Sequence, residues 1–372
     1  MERKLAHIEV IESLSPIDGA DKIEVATVLG WECVVKKGEF EPGEKIIYVE
    51  VDSVLPDKPE FEFLRNRKFR IKTIKLRGQV SQGLVLPITE GDFDLSNLPL
   101  GSDVSDRLGI VKYLSPSEQS ELQQQEEKIK LEKNKLKKFM LRYSWFRKLF
   151  LSKNQKQRFP YWVSKTDEER IQNIPQVLKQ FADKRVYVTE KIDYQSATFT
   201  GKMLPRFNGW LGKILPSKFR FIVCSRNMVN NNKSSLYWKI AEKYKIEQIL
   251  KENPNLTIQG EQGDIKVQGN KYGIKEPRLW VFNIIDHEKG YHFNSKEMAS
   301  FCRKYKLDYV PVLVEDFKLS EIGATVKDLV EFSKGKSVLA KIPREGIVVR
   351  CVEKGKKVLS FKVINPDFLL KY

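Results

Sequence analysis

The stretch from Val186 to Thr198 places chemically useful side chains at the end of an alternating apolar run. Alternation predicts a strand with one buried face, and Lys191 stands where that strand would leave the sheet, with Asp193 two residues later. A lysine amine attacks phosphorus only without its proton, and the ordinary pKa of lysine is about 10.4. We therefore expect burial and nearby cations to lower the pKa of Lys191. The alternative is a solvated lysine at a strand end.

Five further strand-like runs each carry a polar or aromatic residue that could meet Lys191 in a shared pocket. A charged residue beside one strand is ordinary, because the solvent-facing positions of strands are commonly polar. The prediction of a site rests on all of these residues occurring together in one chain. They are Arg226 and Asn227 after the run 219–224, Glu261 after 256–260, Phe282 within 279–285, Glu345 before 346–350, and Lys362 within 358–363.

The composition is that of a globular chain with an excess of positive charge. Hydrophobic residues make up 41% of the 372 residues, and the net charge is +17. The hydrophobic share argues against a disordered chain, and the charge favours a polyanionic partner, nucleic acid first. Much of the excess comes from residues 128–158, which hold twelve Lys or Arg residues and one acid.

Cysteine, histidine and hydropathy patterns argue against several other classes of protein. The four cysteines are scattered singly and the three histidines form no helical pair, so neither a zinc site nor histidine-based catalysis is indicated. No apolar run approaches the ~20 residues of a membrane span, and the first residues carry no secretory signal. We therefore expect a cytoplasmic protein in a reducing environment, with no membrane partner.

The pattern of elements predicts an α+β chain in three parts. Residues 1–114 alternate between short strands and turns, which favours a small OB-type β-barrel. The predicted strands are 6–11, 23–28, 31–35, 45–51, 68–76 and 83–86, and residues 15–21 have turn chemistry. Residues 115–158 lack glycine and are rich in Gln, Glu, Lys and Leu, which predicts a basic helical linker. This linker could touch a phosphate backbone or only hold two domains apart.

Within the first part, residues 61–77 interleave basic and aromatic side chains. The basic residues are Arg65, Arg67, Lys68, Arg70, Lys72, Lys75 and Arg77, and the aromatic residues are Phe61, Phe63 and Phe69. Such a face is typical of surfaces that bind a nucleic-acid strand. Ordinary strand alternation with a charged outer face explains the pattern equally well.

Residues 159–372 carry the candidate site and predict antiparallel sheets flanked by helices. The expected helices lie near 234–252, 295–306 and 325–334. The last of them has a capping-box start at Thr325. A short helix over 168–173, capped by Thr166 or Asp167, is expected before the Lys191 strand. The stretch 201–217 is punctuated by Gly and Pro and predicts a loop or hairpin.

The Lys191-Ile192-Asp193 stretch resembles the nucleotidyl-lysine motif, Lys-x-Asp-Gly, of the covalent nucleotidyltransferases, which are polynucleotide ligases and mRNA capping enzymes. Tyr194 stands where that motif has glycine, and tyrosine lacks the backbone freedom of glycine. Residues 165–173 resemble the segment before the nucleophile in ATP-dependent RNA ligases of the Deinococcus/Naegleria type. Residues 15–28 resemble the N-terminal domain of an RNA ligase family and also tRNA-binding OB modules.

The resemblance implies a role for each candidate residue. Lys191 would be the nucleophile that takes AMP from ATP, and Lys362 would contact the α-phosphate. Glu261 and Glu345 would engage the ribose or hold Mg2+ or Mn2+ through water, since magnesium prefers oxygen ligands. The other implied nucleotide contacts are Arg170 in the nucleotide pocket, Asp193 of the Lys191 motif, Arg226 and Asn227 near ribose and phosphates, Phe282 stacked on adenine, and Glu190 beside Thr189 in adenine recognition. A structural strand role is the alternative for Glu190 and Thr189. The second lysine that the family often has is absent, because Ile364 stands two positions beyond Lys362.

The implied function is ATP-dependent RNA ligation, in which a 3′-hydroxyl is joined to a 5′-phosphate through lysyl-AMP and RNA-adenylate intermediates. The implied substrate is RNA with such ends, a nicked duplex in RNA repair, and we expect the protein to act as a monomer. Two alternatives stay open: another covalent nucleotidyltransferase (a DNA ligase or a capping-type enzyme), or a catalytically inactive RNA-binding protein. DNA ligases and capping enzymes usually carry an OB domain after the last motif, whereas ten residues follow Lys362 here. We therefore expect the RNA ligase arrangement, with the barrel before the transferase.

Overall fold

The computed structural model describes residues 4–90, 93–114, 159–165, 168–204, 217–353 and 359–372. The chain divides into two compact units. The first comprises Met1–Arg147, Gln172–Pro175 and Leu369–Tyr372, and the second comprises Lys148–Ile171 and Gln176–Phe368. The predicted linker of residues 115–158 lies outside the described residues, as do Thr166, Asp167 and most of the predicted loop at 201–217.

The described part of the first unit is built from short strands. They are β1 (Ala6–Val10), β2 (Ser13–Pro16), β3 (Ile23–Val28), β4 (Trp31–Lys36), β5 (Lys45–Val49), β6 (Ser53–Val54), β7 (Ile74–Leu76), β8 (Gln79–Ser81), β9 (Leu84–Pro87), β10 (Thr89–Glu90), β11 (Phe93–Asp94) and β12 (Val111–Lys112). They pair in the orders β1–β5–β9, β2–β3–β4, β7–β8, β10–β11 and β6–β12. Apolar strand residues such as Ile8, Trp31 and Ile47 form the core. The predicted turn at 15–21 is partly wrong, because Ser15 and Pro16 belong to β2 and pair with β3.

A 3₁₀ helix, Pro59–Arg67, changes the interpretation of the basic and aromatic stretch. Proline presets the backbone for the first helical turn, and Phe61 and Leu64, three residues apart, are buried together. Of the strand predicted at 68–76, only Ile74–Leu76 forms. The alternation over residues 61–77 is therefore not the outer face of one strand.

The described residues of the second unit form two sheets. Its strands are β13 (Glu169–Arg170), β14 (Arg185–Lys191), β15 (Gln195–Leu204), β16 (Lys218–Cys224), β17 (Leu256–Gly263), β18 (Arg278–Asp286), β19 (Tyr291–His292), β20 (Asp308–Tyr309), β21 (Val312–Lys318), β22 (Gly346–Cys351) and β23 (Ser360–Ile364). One sheet is five-stranded with the order β13–β23–β22–β14–β21; the other is six-stranded with the order β16–β15–β17–β18–β19 and β20 beside β18. The pairings are antiparallel apart from β13 with β23 and β18 with β20.

Seven helices accompany the described strands of this chain. They are α1 (Val177–Gln180), α2 (Leu236–Lys243), α3 (Ile246–Glu252), α4 (Ser295–Tyr305), α5 (Leu319–Ile322), α6 (Val326–Ser333) and α7 (Pro366–Lys371). The helices predicted near 234–252, 295–306 and 325–334 are confirmed, although Lys245, with φ at 51°, divides the first into α2 and α3. Thr325 caps α6 as predicted, because its side chain accepts a hydrogen bond from the amide of Asp328.

The short helix predicted over residues 168–173 is wrong. Glu169 and Arg170 instead form β13, which pairs with Phe361 and Lys362 of β23, and a 3₁₀ turn over Ile171–Asn173 follows. The tertiary partner decides the conformation here, because a stretch this short has too little intrinsic helical stability to resist a neighbouring strand.

The apolar faces of α2, α3 and α4 pack on one face of the six-stranded sheet. Ile240, Leu250 and Met298 on the helices share a core cluster with Phe199 and Ile258 on the strands. Since side chains alternate along a strand, the neighbouring polar residues of β15 and β17 point to the opposite face. That polar face carries the candidate site. Within the described residues, none of the helices has both the length and the apolar character that crossing a membrane requires.

Candidate active site

Lys191 meets Glu345 at one end of the five-stranded sheet. Lys191 is the last residue of β14 and lies opposite Gly346, the first residue of β22. A Cβ at Gly346 would lie 2.2 Å from the carbonyl oxygen of Val363, so only glycine permits this close approach of β22 to β23. The pairing delivers Glu345, whose Oε1 accepts a hydrogen bond from Lys191 Nζ at 2.6 Å.

Glu261 approaches the same lysine from the six-stranded sheet. It lies on β17 opposite Ser196 of β15, and Ser196 Oγ donates a hydrogen bond to Glu261 Oε1 at 2.7 Å. Burial raises the pKa of Glu261 to about 8, against the opposing effect of the charge of Lys191. The two sheets thus bring three predicted residues together, and we refer to Lys191, Glu261 and Glu345 as the lysine cluster.

The charges around Lys191 correct one expectation from the sequence. Burial alone lowers the pKa of Lys191, but the carboxylates of Glu345, Glu261 and Asp193 together raise it above its ordinary value. Burial also raises the pKa of Glu345, against the charge of Lys191. The expected lowering of the pKa of Lys191 is therefore wrong for this arrangement, because acids rather than cations dominate around the amine.

The second carboxylate oxygens of the cluster, Glu261 Oε2 and Glu345 Oε2, are buried and accept no hydrogen bond from the described residues. A buried oxygen without a donor is costly, and a hard divalent cation or its bound water is a suitable partner for it. The two carboxylates therefore fit Mg2+ or Mn2+. No group of three or more His, Cys, Asp or Glu side chains in the described part of the chain could hold a metal by itself. Water or substrate oxygens would complete such a site.

Lys362 and Arg170 lie on adjacent strands beside the lysine cluster. They are aligned in the parallel register of β13 and β23, and Lys362 also lies opposite Val348 of β22. The pKa of Glu345, which burial raises, is lowered in part by the charges of Lys191 and Lys362. Lys362 is therefore within electrostatic reach of the cluster, as the sequence predicts.

Arg350 is a residue of this region that the sequence reasoning missed. It is 4% exposed on β22, donates a hydrogen bond to the carbonyl oxygen of Phe282 at 2.8 Å, and pairs with Glu168 at 2.6 Å. Its guanidinium also lies 5.7 Å from the centre of the Phe282 ring. Arg350 thereby joins the two sheets and fixes Phe282, the predicted adenine contact. An arginine inside the otherwise apolar run 347–351 was the available signal, because a buried arginine needs a partner.

Glu190 and Asp193 lie on either side of the Lys191 strand end. Glu190 is 1% exposed, and its Oε2 accepts a hydrogen bond from the amide of Val338 at 2.8 Å. Asp193 pairs with Lys271, and its amide donates a hydrogen bond to Tyr272 Oη at 3.0 Å. Neither Lys271 nor Tyr272 was predicted, and no local pattern marks two residues that reach Asp193 from 78 and 79 positions away.

Arg226 and Asn227 occupy an exposed turn after β16, unlike the partly buried lysine cluster. The turn is closed by a hydrogen bond from the amide of Ser225 to the carbonyl oxygen of Met228 at 2.8 Å. Cys224 at the end of β16 lies opposite Thr198 of β15. The turn is therefore at the end of the sheet that carries Ser196.

Tyr194, the departure from the motif glycine, has an ordinary backbone conformation. It is not among the residues with positive φ. Its ring is buried and stacks on Trp280, with centroids 5.6 Å apart and planes 5° from parallel. The turn after Lys191 is thus built without the conformational freedom of glycine.

This arrangement can perform one kind of chemistry well. It combines an amine, a hydrogen-bonded carboxylate that can take the proton of the amine, two buried oxygens for a cation, and further positive charge on neighbouring strands. Such a set suits nucleophilic attack of lysine on a phosphoanhydride.

Comparisons with known proteins agree with this chemistry. Residues 5–88 match a family described as an OB-fold domain, and residues 184–364 match the family described as RNA ligase. A structure of a Naegleria gruberi RNA ligase variant with ATP and Mn is similar at 28% identity and TM-score 0.76, covering 100% of this chain and 99% of that chain. Naegleria gruberi RNA ligase with PPi gives 29% identity, TM-score 0.76 and the same coverage. A variant of that ligase with AMP and Mn gives 28% identity and TM-score 0.76, again over 100% and 99% of the two chains. No curated protein sequence matches.

Proposed function

Because this chain is an ATP-dependent RNA ligase with an N-terminal OB-fold domain, we propose that Lys191 is the residue that takes AMP from ATP. One observation carries this assignment. The amine of Lys191 lies 2.6 Å from Glu345 Oε1, and the charge of Glu261 on the opposing sheet acts on it. A merely solvated lysine at a strand end would not lie beside partly buried carboxylates.

In the first step, the amine of Lys191 attacks the α-phosphorus of ATP, so that an N–P bond forms and the bond to pyrophosphate breaks. The proton that Lys191 loses passes to Glu345 Oε1, which already accepts its hydrogen bond. Because burial raises the pKa of Glu345, this carboxylate is a better proton acceptor than an exposed glutamate. Lys362 and Arg170, aligned on neighbouring strands, provide positive charge for the α-phosphate.

The unpartnered oxygens of Glu261 and Glu345 would hold a divalent cation, Mg2+ or Mn2+, in part through water. When bound, such a cation stabilises negative charge on the α-phosphate and favours the neutral amine of Lys191. Structures of variants of the similar Naegleria gruberi ligase with ATP and Mn and with AMP and Mn support the use of a divalent cation.

In the second and third steps, AMP leaves Lys191 and is finally released. The 5′-phosphate of RNA attacks the phosphorus of lysyl-AMP, and return of the proton from Glu345 to the lysine nitrogen lets Lys191 depart. The RNA 3′-hydroxyl then attacks the activated 5′-phosphate, a phosphodiester bond forms and AMP is displaced.

The remaining nucleotide contacts follow from where the residues lie. The partly buried ring of Phe282, fixed by Arg350, supplies a face for the adenine base. Glu190 and Asp193 flank the nucleophile on its own chain segment. Arg226 and Asn227 are exposed at the end of the sheet that carries Ser196, where they can reach ribose and phosphate oxygens.

The substrate we propose is a nicked RNA duplex, in an RNA repair role, sealed by a monomer in the cytoplasm. The basic excess of +17 suits a polynucleotide with a dense row of phosphates. A reducing compartment is supported by the four cysteines, which are all buried and unpaired with one another.

Labelling with ATP carrying a radioactive α-phosphate tests the assignment of Lys191. With Mg2+ or Mn2+, the wild-type protein is expected to retain covalent AMP, Lys191→Ala is expected to retain none, and Lys184→Ala, an exposed lysine just before the same strand, is expected to label normally. Label on Lys191→Ala would contradict the assignment. Label from GTP instead of ATP would indicate a capping-type enzyme.

Sealing assays test the proposed substrate. A nicked duplex with an RNA 3′-hydroxyl should be joined at least about 10-fold faster than the same nick with a DNA 3′-hydroxyl, because only the RNA end offers a 2′-hydroxyl that the enzyme can recognise. Equal rates would argue against the RNA-specific substrate. Sedimentation of the active protein, with and without the nicked duplex, tests whether the protein is a monomer.

A further inference from the structure

A loop that carries none of the predicted site residues encloses the turn after Lys191. This loop, residues 264–277 between β17 and β18, is called here the clamp loop. It contacts Asp193 and Tyr194 at several points, and these two residues connect the nucleophile to β15. The turn between β14 and β15, two strands of different sheets, is therefore held by a third segment of the chain.

Two clamp-loop residues hold Asp193 from different sides. Lys271 forms an ion pair with the Asp193 carboxylate, and Tyr272 Oη accepts a hydrogen bond from the Asp193 amide at 3.0 Å. The ion pair is largely shielded, since the Lys271 side chain is 19% exposed and that of Asp193 is 23% exposed. A cation–π contact also holds the ammonium of Lys271, which lies 4.9 Å from the centre of the Phe368 ring.

Tyr194 is anchored in the same loop. Its hydroxyl donates a hydrogen bond to Asn270 Oδ1 at 3.2 Å, and its carbonyl oxygen accepts one from Gln268 Nε2 at 3.4 Å. Its ring lies 5.2 Å from that of Tyr272 and stacks on Trp280. Gly263 makes room for this packing, because a Cβ at that position would lie 2.8 Å from the Tyr194 ring.

The clamp loop reaches these contacts through an unusual backbone. Gln268, Gly269 and Asn270 have φ values of 47°, 69° and 47°, so three consecutive residues adopt the left-handed conformation. For Gln268 and Asn270 this conformation costs free energy, and it persists only where the surroundings enforce it. The hydrogen bonds that enforce it include those of Asn270 with Ile274 and with Tyr194. Strain of this kind is typical of segments that position other residues.

We propose that the clamp loop positions the nucleophile through Asp193, with Lys271 as the positioning residue and Tyr194 as the anchor that takes the place of the motif glycine. The inference rests on the proposed role of Lys191. Its physical basis is that an unpaired carboxylate two residues from Lys191 would be free to pair with the ammonium of Lys191 and draw it away from Glu345. The ion pair with Lys271 prevents this, and the aromatic stack fixes the turn in which a glycine would be mobile.

The test removes the charge of Lys271 while keeping a long, unbranched side chain. Lys271→Met should slow single-turnover formation of lysyl-AMP at saturating ATP on the order of 10- to 100-fold, the cost typical of a misplaced reacting group. The apparent KM for ATP and the melting temperature should change less than the rate, because Lys271 pairs with Asp193 and would act on ATP only through it. Lys271→Arg should recover most of the rate, and the matched control Lys275→Met, an exposed lysine of the same loop, should leave it unchanged.

Two results would overturn the inference. One is a Lys271→Met rate equal to that of Lys275→Met, and the other is a loss in Lys271→Met that appears only as a lower melting temperature or a raised KM for ATP. Tyr194→Gly gives an independent check, since restoring the motif residue should slow lysyl-AMP formation, and an unchanged or faster rate would contradict the anchor role. Absence of label on the wild-type protein would instead refute the proposed function itself.

Discussion

Each unit of the molecule places a basic side chain beside two glutamates, but the two clusters are completed differently. In the first unit, His7 Nδ1 lies 2.7 Å from Glu9 Oε1, and His7 Nε2 lies 3.7 Å from Glu50 Oε1. We call these three residues the histidine cluster. In the second unit, Lys191 holds the equivalent position beside Glu345 and within reach of the charge of Glu261.

The histidine cluster is closed by further hydrogen bonds within its own unit. Asn173 Nδ2 donates to Glu50 Oε1 at 2.9 Å, and Asn173 Oδ1 accepts from Trp31 Nε1 at 2.9 Å. Each buried side-chain nitrogen and oxygen of His7, Glu9 and Glu50 has a partner within the described structure. Such a satisfied network stabilises a fold.

The lysine cluster keeps two buried oxygens, Glu261 Oε2 and Glu345 Oε2, without donors among the described residues. Native proteins rarely leave buried polar atoms unsatisfied, and the exceptions concentrate at functional sites. The histidine cluster, in which every buried polar atom has a hydrogen-bond partner, thus acts as a structural element. The lysine cluster, in which two buried oxygens remain available for a ligand, has the properties of a reactive site. Four substitutions test this difference, in order of decreasing expected effect.

Glu345→Ala should have the largest effect. Removal of the hydrogen-bonded proton acceptor of Lys191 should slow lysyl-AMP formation by at least about 100-fold, the usual contribution of a general base. The rate is measured from the appearance of covalent label in a single turnover, with circular dichroism to confirm the fold. A rate within a few-fold of wild type would place proton transfer elsewhere.

Glu261→Gln should separate activity from stability. Burial raises the pKa of Glu261 to about 8, so keeping this carboxylate charged in the folded protein costs free energy when no cation is bound. The amide keeps the shape without the charge and should leave the free energy of unfolding unchanged or raise it by about 1–2 kcal/mol. Lysyl-AMP formation should nevertheless fall about 30-fold or more, because a negatively charged cation ligand is lost. A Glu261→Gln variant that is less stable but equally active would mean that the lysine cluster is a structural element rather than a reactive site.

His7→Gln should affect stability and its pH dependence but not labelling. Burial lowers the pKa of His7, but hydrogen bonds and charges from Glu50 and Glu9 outweigh it and raise the pKa to about 8. A histidine whose pKa is higher in the folded than in the unfolded protein stabilises the fold when it is protonated. This stabilisation is fully present below pH 6.5, the pKa in the unfolded chain, and is lost as the pH rises through about 8, the pKa in the folded protein. The free energy of unfolding of the wild type should therefore exceed that of His7→Gln by about 2 kcal/mol at pH 6 and by much less at pH 9.

Urea denaturation at pH 6 and pH 9 measures this difference. The labelling rate of His7→Gln under conditions where it is folded should match that of wild type. A pH-independent stability difference would mean that His7 contributes by packing rather than by charge.

Ser196→Ala should have the smallest effect. The serine hydroxyl donates the hydrogen bond at 2.7 Å to Glu261 Oε1 that, with the charge of Lys191, opposes the effect of burial on the pKa of Glu261. Its loss should slow lysyl-AMP formation about 3- to 10-fold, equivalent to the usual net contribution of one hydrogen bond, about 1 kcal/mol. Higher concentrations of Mg2+ should recover part of this rate if Glu261 acts as a cation ligand. No dependence on Mg2+ would indicate that Ser196 only aligns β15 with β17.

Local sequence was sufficient where one segment determines its own structure. The alternation before Lys191 predicted β14, and the Thr325 capping box predicted the start of α6. It failed where a distant partner decides, as at Glu169 and Arg170, which form a strand because β23 lies beside them. It also failed at residues 68–76, of which only Ile74–Leu76 forms a strand, and it did not predict the preceding 3₁₀ helix that buries Phe61 and Leu64.

What the sequence alone determined about this protein is the set of reactive side chains and the strands that end at them, because periodicity and residue type are local properties. The family resemblance placed Lys191, Glu261, Glu345 and Lys362 in one site, and strand pairing brings Lys191 against Glu345. Only the tertiary structure decided that Arg350 joins the two sheets and that Lys271 and Tyr272 hold Asp193. These contacts join residues far apart in the chain, so they follow from the packing of two sheets and a loop rather than from any short pattern. The tertiary structure also decided the direction in which the pKa of Lys191 is shifted, because the fold determines which charged groups surround its amine.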